Sequence, residues 1–134
     1  MDEKIKTYLT EFELNEPVAV NSIQDVEEQL QFNFPKEYSD FLMISNGGEG
    51  SVGQSYLRLW KLEELIELNE AYGVQDFAPG LLIIGTDGSD TAYCFDTRSD
   101  DKPIVSVPFI GMDLSEVQSC GDNLIQFLGF LYGN

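Results

Sequence analysis

The first third of the chain carries apolar residues at the three- and four-residue spacing of amphipathic helices. In the first segment these residues are Ile5, Tyr8, Leu9 and Phe12. The pattern predicts a short helix that Pro17 ends or follows, because proline lacks the N–H group that a helix interior requires.

A second helix is predicted from Ser22. Ser22 and Asp25 have the spacing of a capping box, in which a hydroxyl and a carboxylate satisfy free N–H groups of the first turn. The apolar residues that follow at helical spacing are Ile23, Val26 and Leu30. We therefore expect a helix capped by Ser22 that buries this stripe.

Pro35 suits the first turn of a third helix, because its φ is already helical and its missing N–H is not needed there. Tyr38, Phe41 and Leu42 form the apolar stripe of this helix. The run Asn46-Gly47-Gly48 supplies residues that tolerate positive φ, so the helix is expected to stop before it.

The next segment changes period. Leu57–Trp60 alternates like a strand, so that Arg58 and Trp60 face away from the two leucines. Helical spacing then returns in a fourth predicted helix, which continues to Gly73 and whose inward residues are Leu62, Leu65, Ile66 and Asn69.

The period is two again from residue 81. Three strands are predicted there, over Leu82–Gly85, Thr91–Phe95 and Ile104–Val107. Their connections, Asp87–Asp90 and Thr97–Lys102, are short and polar. Such connections favour an antiparallel meander.

A broad apolar stripe after Asp122 predicts a closing helix, and its members are Leu124, Ile125, Phe127, Leu128 and Leu131. Helices first, strands later and a final helix indicate an α+β fold. We expect N-terminal helices, an antiparallel β-meander with one intervening helix, and a C-terminal helix packed on the sheet. The 134 residues fit a single domain over positions 1–134.

The charge balance restricts the partners. Seven Lys and Arg stand against 24 Asp and Glu, for a net charge of −17. This charge repels a phosphate backbone, so direct nucleic-acid binding is not expected, whereas a basic protein is attracted. The chain also contains no histidine, the commonest general base and metal ligand. We therefore expect a protein that is not an enzyme and needs no cofactor.

Two local patterns resemble ligand sites, but turn and capping chemistry explains both. The acidic turn residues between Asp87 and Asp101 offer oxygen ligands to calcium, yet their spacing does not match an EF-hand loop. The glycine-containing segment Asn46–Ser55 follows a predicted helix and contains no lysine. A phosphate-binding loop instead precedes a helix and often includes a lysine. We expect no metal site, and an exposed glycine-rich loop.

The ends and cysteines indicate the compartment. No apolar segment follows the charged N-terminus, so a secretory signal is not predicted, and no apolar stretch approaches the roughly 20 residues that span a bilayer. Cys94 and Cys120 lack the Cys-x-x-Cys spacing. We expect a cytoplasmic protein with two reduced, buried thiols and no membrane association.

The order of motifs is informative. The most specific is Phe34–Leu42, with its Pro-x-x-Tyr-x-x-Phe-Leu pattern, followed by Asn46-Gly47-Gly48-Glu49. Further pieces follow in order at Leu59–Leu65, Ile84–Gly88, Tyr93–Asp96 and Asn123–Leu128. Together they resemble the SUKH superfamily, the fold shared with fungal cell-wall-assembly regulators, over roughly residues 20 to 131.

The resemblance implies an α+β domain that serves in bacteria mainly as an immunity protein, which binds a cognate toxin, often a nuclease. It supplies no catalytic residues. We therefore expect a protein, monomeric or weakly dimeric, that neutralises a basic toxin by steric and electrostatic occlusion. The alternative hypothesis is a non-catalytic regulatory or scaffold domain that binds a cellular protein.

Five residues are predicted to contact the partner. Glu49 lies in the glycine-rich segment, and Asp87, Asp90 and Asp96 lie at the turns of the sheet. Their carboxylates would compete for the cationic groups with which a nuclease holds phosphates. Trp60 is the aromatic residue predicted at the surface, because it faces away from Leu57 and Leu59 on its strand.

Overall fold

The computed structural model of the protein describes residues 2–133. Its helices are α1 (Glu3–Tyr8), α2 (Val20–Leu30), α3 (Lys36–Leu42), α4 (Leu62–Tyr72), α5 (Val74–Phe77) and α6 (Leu124–Tyr132). Its strands are β1 (Phe12–Leu14), β2 (Gly48–Val52), β3 (Ser55–Leu59), β4 (Leu81–Thr86), β5 (Thr91–Asp96), β6 (Ile104–Pro108) and β7 (Gln118–Gly121). A 3₁₀ turn lies at Leu114–Glu116.

Within residues 2–133, seven strands form one sheet in chain order, with every neighbouring pair antiparallel. The helix α4 lies between β3 and β4, and α6 packs against β7. The predicted α+β fold, with a meander, an intervening helix and a C-terminal helix on the sheet, is confirmed.

The meander divides its connections between two ends of the sheet. The β2–β3, β4–β5 and β6–β7 connections lie at one end, because successive antiparallel strands reverse direction. The other end holds α2 and α3, which join β1 to β2, together with α4 and α5 and the β5–β6 turn. Residues at the two ends of β5 are therefore separated by the length of the strand.

Aromatic contacts fasten helices to one face of the sheet. Tyr93 of β5 meets Phe127 of α6 with ring centroids 4.9 Å apart, and Phe95 meets Tyr38 of α3 at 5.1 Å. Over β4 to β6 the opposite face is also buried, and Met112 of the β6–β7 connection is only 2% exposed. The sheet is thus covered on both faces over β4 to β6, whereas β1 to β3 expose one face and the edge strand β7 exposes Gln118 and Ser119.

Two of the sequence predictions at the N-terminal end are wrong. Phe12 belongs to β1 rather than to the first helix, where it pairs with Gly50. The second helix begins at Val20, with Ala19 at the N-cap, and Ser22 lies inside its first turn and donates its backbone N–H to Ala19. Ser22 therefore does not cap the helix.

The expected glycine-rich loop is a strand. Gly48 and Gly50 lie in β2, and a Cβ on Gly50 would come within 2.7 Å of the Glu11 carbonyl oxygen. These glycines let β1 approach β2 closely, which a side chain would prevent. The segment Asn46–Ser55 thus builds the β2–β3 hairpin.

Among residues 2–133, no helix combines the length and the apolar character that crossing a bilayer requires.

Candidate partner-binding surface

The sheet is open to solvent over β1 to β3. The register pairs Glu13 with Glu49 and Glu49 with Arg58, so the three side chains project from the same face. Tyr56, two residues before Arg58, shares this face. We call these four exposed residues the outer face. Its charge is mixed, because Arg58 lies opposite a glutamate.

Hydrogen bonding organises the outer face. The hydroxyl group of Tyr56 donates to the Glu49 carboxylate, and this bond raises the pKa of Tyr56. The ring of Tyr56 also contacts Gly88 of the β4–β5 turn, where a Cβ would lie 3.0 Å from two ring carbons. This contact places the turn that holds Asp87 and Asp90 beside the outer face.

The sequence predicted that the acidic residues of this turn shape it through local hydrogen bonds, and for Asp87 this prediction is confirmed. Asp87 Oδ1 accepts hydrogen bonds from the backbone N–H groups of Ser89 at 2.9 Å and Thr91 at 3.1 Å. This is the Asx-type bonding that shapes a tight hairpin. Asp90 is exposed, and its carbonyl oxygen accepts from the Phe109 N–H.

Asp96 lies at the opposite end of β5 and is already paired. Arg98 donates to both of its carboxylate oxygens at 2.9 Å, and these bonds hold the pKa of Asp96 below its usual range. The structure thus groups Glu49, Asp87 and Asp90 at one region of the surface and separates Asp96 from them.

The prediction that Trp60 lies at the surface is wrong. Trp60 is 5% exposed and stacks on Tyr72 of α4, with ring centroids 6.0 Å apart. Tyr72 in turn contacts Phe109 at 4.6 Å. Trp60 follows the end of β3, where the chain turns into α4, so Tyr72 of that helix covers it although Arg58 on the strand remains exposed.

The Asn-Gly-Gly motif forms a structural junction. Asn46 Oδ1 accepts the N–H of Leu62, the first residue of α4, at 2.7 Å, and its amide donates to Glu63 at 2.7 Å. The second bond lowers the pKa of Glu63. Buried Ser45 bonds both the Asn15 N–H and the Gly47 carbonyl oxygen. This motif therefore joins β1, α3 and α4 rather than presenting a binding loop.

Tyr38, from the same motif region, has an unpaired hydroxyl group. The side chain is 2% exposed, burial raises its pKa, and its hydroxyl has no hydrogen-bond partner within residues 2–133. Because a buried polar group without a partner costs free energy, Tyr38→Phe is expected to raise the free energy of unfolding by about 1 kcal/mol. Chemical denaturation monitored by fluorescence measures this change in the free energy of unfolding.

A matched control removes the same atom from Tyr56, whose hydroxyl is bonded at the surface. Tyr56→Phe is expected to leave stability nearly unchanged. If Tyr38→Phe instead lowers stability by more than about 1 kcal/mol, the hydroxyl has a bonded partner in solution and the interpretation is wrong.

Three helices present a surface of predominantly negative charge. The helix α2 contacts α4, and α5 follows α4 directly. Their sequences contain no Lys or Arg. The exposed acidic residues on them, which we call the acidic helix face, are Asp25, Glu28, Glu63, Glu67, Glu70 and Asp76. A cation borders this surface at the start of α4, where the exposed Lys61 lies close enough to Glu63 to help lower its pKa.

The periodicity and motif patterns do not single out the acidic helix face. The sequence contains one part of the signal: no Lys or Arg occurs from residue 7 to 35, from 62 to 97 or from 103 to 134. The helices α2, α4 and α5 lie in the first two of these stretches. The packing of α2 against α4 is also needed to identify the surface.

A cleft of about 700 Å³ opens between the C-terminal ends of α2 and α4. A second cleft, of about 420 Å³, lies between their N-terminal ends. The two helices therefore run in the same direction with a groove between them. Among residues 2–133, no three His, Cys, Asp or Glu side chains are placed to hold a metal ion.

These features define an α+β protein whose antiparallel meander supports a parallel pair of acidic helices. The chain belongs to the SMI1/KNR4 family (SUKH-1), whose family model matches residues 17–129. It is also 37% identical over 87 residues to the "Uncharacterized protein YnaB" of Bacillus subtilis (strain 168). That match covers 65% of this chain and 56% of the relative, so the two are compared over little more than half of the relative's length.

Proposed function

We propose that the protein is an immunity protein of the SUKH family that binds a basic toxin in the cytoplasm and blocks it. The observation that supports this most directly is the acidic helix face, whose three helices contain six exposed carboxylates and no Lys or Arg, in a chain of net charge −17. An acidic surface accelerates encounter with a basic partner, by roughly 10- to 1000-fold at low salt. Family membership supports the class of function.

The mechanism is occlusion without chemistry. A nuclease holds its substrate through Lys and Arg contacts to phosphates. The carboxylates of the acidic helix face would occupy those same groups, and the bulk of the domain would block the cleft between them. Both cysteine thiols are buried, and burial raises the pKa of each, which disfavours the nucleophilic thiolate form.

Three of the five predicted contacts remain part of this proposal. Glu49, Asp87 and Asp90 lie at or partly at the surface, next to one another, and would form a second contact region beside the outer face. Asp96 is engaged by Arg98, and Trp60 is buried, so neither is proposed as an anchor.

Co-expression tests the proposal. The genes that neighbour this one are expressed singly in a sensitive host to find one that arrests growth, and that gene is then expressed with and without the protein. Growth is expected to be restored only with the protein, and binding of the purified pair is expected to slow by about tenfold or more as salt screens the charges. Growth arrest in the presence of correctly folded protein would contradict the proposal and favour a regulatory or scaffold role. If the association rate does not depend on salt, the acidic residues serve solubility and do not guide binding.

A further inference from the structure

The larger cleft has an apolar interior and a polar rim. Its walls include the buried residues Leu81 and Leu82 of β4 and the half-buried ring of Phe32. The exposed carboxylates of Glu70 and Asp76 lie at its rim. Gln75 stiffens this side of the cleft, because its amide group bonds the Leu81 carbonyl oxygen at 3.1 Å.

The electrostatics of the cleft favour a cation. The C-terminal ends of α2 and α4 both border it, and a helix C-terminus carries partial negative charge. Neither helix has a basic residue in its last turn to offset that charge. Glu70 instead adds a carboxylate in the last turn of α4, and Asp76 lies beside Gly73, which ends the helix. Within residues 2–133, neither acid forms an ion pair.

Two cations of the chain that lie near the cleft are engaged by other groups of the chain. Arg98, which packs against Gly80, is held by Asp96. Lys102 donates to the Asn33 carbonyl oxygen at 2.7 Å and lies 4.8 Å from the centroid of the Phe32 ring. No Lys or Arg lines the cleft itself. Its negative charge is therefore left for a partner to neutralise.

We propose that this cleft receives an arginine side chain of the basic protein partner, an inference that depends on the proposed function above. The methylene groups of the arginine lie along Leu81, Leu82 and Phe32, and its guanidinium group meets Glu70 and Asp76. An arginine fits better than a lysine because its planar group donates to two acceptors at once and keeps its charge when partly buried.

Two double variants distinguish the contribution of the cleft to binding from the contribution of the overall negative charge. Glu70→Gln with Asp76→Asn removes two charges from the rim, whereas Glu116→Gln with Asp122→Asn removes two exposed charges that lie outside both the cleft and the acidic helix face. The first pair is expected to weaken binding of the partner toxin by about tenfold, and the second by less than about threefold. If the wild type fails to protect, the proposed function is wrong. If it protects and both doubles bind equally, only the cleft assignment is wrong.

A second measurement does not require the toxin. The peptide acetyl-Gly-Arg-Gly-amide is titrated into the full chain and followed by amide NMR shifts, with a citrulline peptide as the neutral control. Saturable shifts are expected at Gln31, Gly73 and Thr97, which line the cleft, and only with arginine. The rim variant is expected to lose them while its thermal unfolding midpoint stays close to that of the wild type, because Glu70 is unfavourable in the last turn of α4 whereas Asp76 is favourable in the first turn of α5. Shifts spread evenly over all acidic surfaces would overturn the assignment.

Discussion

Replacing Asn69 by Leu is expected to lower the free energy of unfolding by about 4 kcal/mol. Asn69 is 7% exposed, and its side chain accepts the Ile83 N–H at 2.8 Å and donates to the Ile83 carbonyl oxygen at 2.9 Å. Leucine has a similar size but leaves both backbone groups buried without a partner. Each such group costs about 1–3 kcal/mol.

The sheet makes this side chain necessary. The register between β3 and β4 includes only the pairs Arg58–Thr86 and Leu59–Gly85, so the first half of β4 lacks a strand on that side. The amide of Asn69 presents one donor and one acceptor to β4, as a neighbouring strand would. A helix side chain thus completes the hydrogen bonding of an interior strand.

Urea denaturation of the full chain measures the effect. The control is Asn21→Leu, which makes the same change at an exposed position of α2 and is expected to shift stability by less than about 0.5 kcal/mol. Asn69→Asp places a buried carboxylate oxygen where the amide now donates to the Leu65 and Ile83 carbonyl oxygens, so a loss at least as large as that of Asn69→Leu is expected. A loss below about 1 kcal/mol for Asn69→Leu would show that water or a shifted strand replaces the amide.

The role of Asn69 illustrates what local pattern can predict. Helical spacing places Asn69 on the inward face of α4, and the structure confirms both the helix and its end at Gly73. The pattern cannot predict the partner, because Ile83 is 14 residues away and contributes only backbone atoms. An inward polar residue on a helix signals that some partner exists, but the tertiary fold decides which one.

Some strands could be predicted from the local pattern, and others could not. The strands β4, β5 and β6 alternate or are continuously apolar, and they were predictable from the sequence. The strand β2 has the sequence Gly-Glu-Gly-Ser-Val, whose glycines have low strand propensity, and it forms because β1 and β3 pair with it on both sides. Short edge strands such as β1 and β7 depend on such neighbours, so local pattern misses them.

The candidate partner-binding surface likewise includes features that the local pattern predicted and features that only the tertiary fold determines. Turn chemistry correctly placed Asp87 in a hairpin, but alternation alone could not show that α4 folds back over Trp60. Nor could it show that Asp96 would meet Arg98. The acidic helix face arises from helices more than 30 residues apart in sequence, so it requires the packing of α2 on α4 as well as the charge pattern.

Gly47→Ala is expected to lower the free energy of unfolding by about 3–4 kcal/mol. The φ angle of Gly47 is +68°, and a Cβ there would lie 2.4 Å from the Leu59 carbonyl oxygen and 2.7 Å from that of Trp60. The left-handed conformation costs a residue with a Cβ about 1–2 kcal/mol, and displacing backbone at the junction adds about 1–3 kcal/mol. Since Asn46 next to it caps α4, the displacement would also loosen that helix.

Gly111→Ala separates the two contributions. Gly111 has a φ of +83°, but a Cβ there would meet nothing within 4 Å, so only the conformational cost of about 1–2 kcal/mol is expected. The difference between the two variants, measured by urea denaturation, gives the cost of crowding the junction. Equal losses would mean that the junction yields to a methyl group. The Asn-Gly-Gly motif would then be required for its backbone conformation alone, and not for the close approach of Gly47 to the backbone of Leu59 and Trp60.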